Sequence, residues 1–231
     1  MRKQFVLLLL VGLSHPIFSQ TDSTLYNAVF QNETAKDASE LIYNGREHIG
    51  YPSSIQGTPY YHSSDWQKGA LNFQGVPYKD VFLKYDLLAD EVIVRHQDGF
   101  SSVTLFMPWV QSFSLGENHF VNLIGNAPGF KSGFYEELVK GTISLYIKHS
   151  KRLTETIVTD AVKKTFVDQQ NIYVSKDSQF YLIKKQKDLM DLMTDKSTEM
   201  KTWLQTSGIN YKDNSATALS GIIMYYNQLS R

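Results

Sequence analysis

The sequence predicts an α+β fold: a twisted antiparallel β-meander, with a curved or half-barrel sheet as one form it can take, followed by two or three C-terminal helices. Three observations carry this. From Gly69 to about residue 185, short runs rich in Val, Ile, Phe and Tyr alternate with turn residues at intervals of roughly ten. From Lys187 the apolar spacing lengthens to the helical period. No internal repeat or low-complexity linker separates the two regions, so sheet and helices belong to one domain.

The chain opens "MRKQFVLLLLVGLSHPIFS", with Arg2 and Lys3 ahead of an apolar run from Phe5 to Leu13, then a small residue, Ser19, with Ile17 at the minus-three position of a cleavage site. Residues 1–19 therefore read as a secretory signal peptide. The run is shorter than the roughly 20 residues that cross a bilayer, and no comparable apolar segment follows. The expected location is periplasmic or secreted, with no transmembrane segment. Residues 20–68 read as an irregular or helical N-terminal segment ending in an aromatic loop, with a short helix from Leu25 to Phe30 and an element end near Leu41 to Tyr43.

Strands are expected at 69–74, 78–87, 92–97, 101–107, 109–115 and 119–124. The glycine- and proline-bearing "GNAPGFKSGFYEELVKG" interrupts them, with one helical turn at Phe134 to Leu138. Strands resume at 142–149 and 152–158, and a hairpin from Asn171 turns at Lys176 to Ser178. The sheet region closes at 185, and 186–231 forms a helical cap. There Leu189, Leu192, Met193, Met200, Trp203 and Leu204 recur at helical spacing, with a break at Thr194 and Asp195 and a stop at Gly208. Trp203 is expected in the core. A last helix starts at Asp213 or Asn214 as N-cap and carries Leu219, Ile222, Ile223, Tyr226 and Leu229 on one face.

The stretch "GVPYKDVFLKYDLLADEVIVRHQDG" gathers acids, an arginine and a histidine, yet strand alternation explains it as a hairpin. Val81, Leu83, Tyr85 and Leu87 share an inner face with Val92 and Val94, while Asp86, Ile93 and Arg95 point outward. A two-residue turn at Ala89–Asp90 or at Asp90–Glu91 gives the same inner face, because the two registers differ by a full period. The second sets Arg95 opposite Asp86.

Composition narrows the function. The chain has no cysteine, so disulfides, thiol catalysis and a lipid-modified N-terminal cysteine are excluded and stability rests on burial. Its 23 basic and 23 acidic residues balance, which predicts no general attraction to nucleic acid or anionic membrane. His48, His62, His96, His119 and His149 fall singly on different elements, without HExxH or another short metal motif, so neither a metal nor another cofactor is expected. No GxSxG is present. Asp22 to Thr24 matches a loose O-glycosylation tripeptide.

The feature most open to a functional reading is "GTPYYHSSDWQKG". Its Tyr60, Tyr61, His62 and Trp66 set flat apolar rings among hydrogen-bonding groups in a loop bounded by glycine and proline. This mixture suits a ligand or partner contact.

Taken together, "LIYNGREHIGY", "GVPYKDVFLKYDLLADEVIV", "SFSLGENHF", "SGFYEELVKG" and "INYKDNSATALSGIIMYYNQL" resemble a family of uncharacterised secreted proteins of Bacteroidota, over most of the exported chain. The resemblance implies an envelope location and transfers no activity. The expectation is a non-enzymatic periplasmic or cell-envelope protein that binds an envelope protein or a small ligand through the Tyr60–Trp66 loop. The competing reading is a hydrolase assembled from dispersed groups, with His62, Asp65 and His96 as first suspects. A small outer-membrane barrel ranks last, because the chain ends in an amphipathic helix rather than a membrane strand.

Overall fold

Eleven strands, among the described residues, form one antiparallel sheet in the order β1-β5-β4-β3-β2-β6-β7-β8-β9-β10-β11. They are β1 (Arg46–Glu47), β2 (Gln67–Phe73), β3 (Val76–Asp86), β4 (Glu91–Arg95), β5 (Ser102–Thr104), β6 (Val110–Leu115), β7 (Asn118–Leu123), β8 (Gly133–Val139), β9 (Ile143–Val158), β10 (Ala161–Lys176) and β11 (Gln179–Ile183). Three α-helices follow: α1 (Gln186–Met190), α2 (Ser197–Thr206) and α3 (Ser215–Leu229). The structure, a computed structural model, describes residues 40–125, 129–158, 161–209 and 215–230. The expected signal peptide, the short helix from Leu25 to Phe30, the Asp22 to Thr24 tripeptide and the Asp213 or Asn214 cap lie outside them.

Directly opposed residues of an antiparallel pair share a face, so register shows what each face carries. One row runs Leu71, Phe113, Phe120, Glu136, Ile147, Ile172 and Ile183 across seven strands. Six of the seven are apolar, and Glu136 alone is acidic. The β2–β7 half of this face packs around Leu83, Tyr85, Phe113, Phe120 and Phe134, with Phe113 and Phe120 stacked at 4.7 Å between centroids. The β8–β11 half packs against the helices. Ile143, Leu145 and Val174 from the sheet meet Leu189, Met193, Met200, Leu219, Ile222 and Ile223, all at 0% exposure. Asn227 fixes this contact, since its amide both accepts from the Ile143 N–H and donates to the Ile143 carbonyl at 2.9 Å. The opposite face of the same strands carries a smaller aromatic cluster of Phe130, Tyr135, Tyr146 and Tyr173.

The expected inner face of the first hairpin is observed: Val81, Leu83, Tyr85, Leu87, Val92 and Val94 are all buried. Its turn is longer than expected. Leu83 pairs with Val94 and Asp86 with Glu91, which leaves four turn residues and shifts the register again by a full period. Arg95 therefore bonds the Gly99 carbonyl instead of meeting Asp86. Ile93 and Asp86, expected outside, are buried too; Tyr51 and Tyr60 lie against Asp86 on the outer face. Asp86 accepts bonds from the Tyr51 hydroxyl and from the Leu88 and Ala89 N–H groups, as a buried carboxylate must.

Five other expectations are corrected. Phe134 to Leu138 lies in strand β8, not in a helical turn; Glu136 on the inner face breaks the apolar alternation that marks a strand. The segments 142–149 and 152–158 are one strand, and β10 begins at Ala161 rather than near Asn171, its first half being charged and exposed. The sheet also starts earlier than 69, because Arg46–Glu47 pairs with β5 and β2 begins at Gln67. Trp203 is half-buried, stacked on Tyr225 at 4.5 Å, while Met200 takes the core position. The break at Thr194 and Asp195 is seen as a 3₁₀ turn between α1 and α2.

The tip of the first hairpin is tied to distant strands. Lys148 of β9 donates to Asp90 at 2.6 Å and to the Phe134 carbonyl at 3.0 Å, and the Tyr85 hydroxyl donates to the same Asp90 carboxylate at 2.6 Å. A Cβ on Gly133 would come within 2.0 Å of that carboxylate, so the crossing requires glycine. The Lys151 N–H donates to the Leu87 carbonyl at 2.9 Å, bringing β9 beside the end of β3.

Candidate functional site

The aromatic loop threads along the end of β3 and splits its side chains between two sides. Backbone bonds join Tyr61 N–H to the Tyr85 carbonyl and Leu87 N–H to the Pro59 carbonyl, and Tyr60 bridges Asp86. Strand-like alternation then sends Tyr60 one way and Tyr61 the other. Tyr60, 8% exposed, bonds His48 at 2.9 Å, and with half-buried Trp66 it clamps the Lys84 ammonium, 4.9 and 4.4 Å from the two ring centroids. Burial between these rings lowers the Lys84 pKa. Tyr60 and Trp66 thus pin the loop to the sheet.

Tyr61, 5% exposed, packs against Tyr85 and Phe120 on the inner side and makes an edge contact with the His149 ring at 5.1 Å. Burial raises its phenol pKa, the Glu136 charge adding to the effect, so it stays protonated. His62 follows on the surface, tilted against Tyr61 at 4.0 Å. Its φ is 61°, and the Ser63 N–H donates back to the Tyr61 carbonyl at 2.8 Å. A hydrogen bond between residues i and i+2 around a positive φ is the rare, strained γ-turn. Such backbone costs about 1–3 kcal/mol and persists where neighbouring packing dictates it. Here the buried Tyr60–Tyr61 pair does so.

Tyr61 and His62 line a cleft of about 470 Å³ with Leu87, His149, Lys151 and the β10 residues from Asp168 to Gln170. Behind the His149 ring that lines it lies the acidic residue of the apolar row. Glu136 is 5% exposed; one oxygen accepts from the Asn118 amide and the other from His149 Nε2 at 2.6 Å. Burial alone would raise its pKa, but the bonds from His149 and Asn118 prevail and hold it below the usual carboxylate range. Glu136 is therefore ionised at neutral pH. An ionised carboxylate only accepts, so His149 must place its proton on Nε2, and its Nδ1 carries a lone pair in the neutral ring. Beside it, the Lys151 side chain is 7% exposed and pairs at 3.2 Å with Asp168, which is 80% exposed.

This arrangement offers a fixed imidazole acceptor, an aromatic and aliphatic wall, and amides at the rim. It joins two of the four loop residues, Tyr61 and His62, to Glu136, His149 and Lys151, which sequence reasoning missed. The missed signal was an acidic residue at an inward position of "GFYEELV". The hydrolase suspects do not assemble. Asp65 bonds Ser63 in its own loop, and His96 pairs with Asp98 at 3.1 Å in the β4–β5 turn, where it lines a different cleft with Ile42, Tyr43 and Phe82. Among the described residues no three His, Asp or Glu side chains form a metal-holding group, and no helix is long and apolar enough to cross a membrane. Compared with family models, curated proteins and solved structures, the chain finds no match.

Proposed function

We propose that this is an exported, cell-envelope binding protein that takes a small polar ligand in the Tyr61–His149 cleft. The carrying observation is a buried, ionised Glu136 that orients a half-buried histidine whose Nδ1 has no partner among the described residues. A carboxylate set into an apolar row costs stability unless it is bonded, and the bonds it accepts here fix the His149 ring and the Asn118 amide. The basic and apolar leader and the likeness to secreted envelope proteins support export. The bond from Lys151 to Leu87 supports a sheet that curves until β3 and β9 wall the cleft.

A second reading, a hydrolase, draws on the same pair, because a histidine held by a carboxylate is how a general base is built. Its nucleophile would be water, since no serine, threonine or cysteine lines the cleft among the described residues.

The test fills the cleft without touching the buried pair. Gln170 is exposed on β10 and directly opposite His149, so Gln170→Trp projects an indole over the opening. Native mass spectrometry of protein recovered from its own envelope should show a non-covalent small-molecule adduct on the wild type. The variant should lose it while melting normally. A wild type that carries no adduct, or a variant that keeps it, contradicts the reading.

A further inference from the structure

We propose, building on the binding reading above, that the ligand is neutral and polyhydroxylated, a saccharide unit, and that His62 is held in its strained turn to receive it. The charged groups at the cleft already have partners: Lys151 pairs with Asp168, and the Glu136 carboxylate is held by the N–H of His149 and the amide of Asn118. An anion or a cation would have to break one of these pairs to gain its own, at the cost of a partly buried charge left alone. A neutral ligand leaves both intact.

The groups that remain suit hydroxyls. Gln169 and Gln170 each offer a donor and an acceptor at the rim, and the His149 Nδ1 lone pair accepts from an O–H. A hydroxyl donates and accepts at once, so a ring bearing several can satisfy this mixed set, whereas a carboxylate or phosphate supplies acceptors only. Leu87 and the Tyr61–His62 ring pair give an apolar wall for the C–H face of a sugar.

His62 supplies the second line of argument. Glycine would adopt a φ of 61° without strain, yet the position holds an exposed imidazole that no described hydrogen bond retains. The side chain adds little to the fold that would offset its backbone cost. Its ring lies beside Tyr61 at the cleft mouth, where it can close over a bound ring.

The experiment titrates the mature protein with cellobiose, maltose and chitobiose, with succinate and spermidine as anionic and cationic comparators, and follows the histidine ring resonances. At least one disaccharide should shift His62 and His149 saturably, leaving His96 and His119 unmoved. His62→Gly should weaken that binding at least tenfold with a near-native melting temperature, and Gln170→Ala should weaken it as well. Saturable shifts with succinate or spermidine but no saccharide overturn the ligand class and leave the cleft as the binding site. Shifts at neither ring with any probe overturn both. Binding unchanged in His62→Gly, or His62→Gly that unfolds, overturns the role of the strained turn.

Discussion

A chain ending at residue 185, which keeps the whole sheet and lacks α1, α2 and α3, is expected to lose cooperative melting and to aggregate. The helices cover Ile143, Leu145, Val174 and Ile183, four sheet residues at 5% exposure or less. Fully burying one such side chain contributes about 1.5–3 kcal/mol, so uncovering the four and losing Leu219, Ile222 and Ile223 removes about 10–20 kcal/mol, as much as the 5–15 kcal/mol that typically separates folded from unfolded states. Deletion also orphans the Ile143 backbone groups that Asn227 satisfies. Ile222→Asp probes the same contact in the full-length chain, by placing a carboxylate where exposure is 0%. Calorimetry on both decides the point. A soluble fragment with a sharp transition near the wild-type temperature would show that the helices are an independent appendage.

Glu136→Leu is expected to cost about 3–5 kcal/mol although leucine suits the surrounding row, because it leaves Asn118 and His149 without the acceptor they share. Glu136→Gln isolates the electrostatic share. The folded pKa of Glu136 lies below its unfolded value of about 4.3. Its contribution is therefore fully present above that value and is lost as pH falls through the folded pKa. In urea melts the gap between wild type and Glu136→Gln should stay constant above about pH 5 and narrow below about pH 4. A gap independent of pH would mean that the carboxylate is not held ionised by His149 and Asn118.

The same residue shows what could be read from sequence and what could not. Alternation in "VFLKYDLL" and "EVIV" located the inner face of the first hairpin even though the turn length was misjudged, because side-chain direction depends only on parity. Helical spacing located α1, α2 and α3, including their break. In "GFYEELV" the apolar pattern failed at Glu136, a carboxylate held on the inner face by His149 and Asn118, and a strand was taken for a helical turn. With that strand misread, the partnership of Glu136 and His149 could not be seen, since it follows from the pairing of β8 with β9. Tyr61 and His62 were visible as an unusual aromatic loop. Their separation from Tyr60 and Trp66 was not, because it depends on the loop running beside β3 as an extra strand-like segment. The charged first half of β10 likewise hid a strand that only its partner β9 reveals.

The central claim, that Glu136 presents His149 to the cleft as an acceptor, is tested most directly by the long-range ¹H–¹⁵N spectrum of the histidine rings in the free protein, recorded where the His149 ring is neutral. The account predicts that the neutral His149 ring is a single Nε2–H tautomer, and that Glu136→Gln loses that fixed tautomer. A neutral His149 ring that carries its proton on Nδ1, or that averages between tautomers as a solvent-exposed imidazole does, would contradict it.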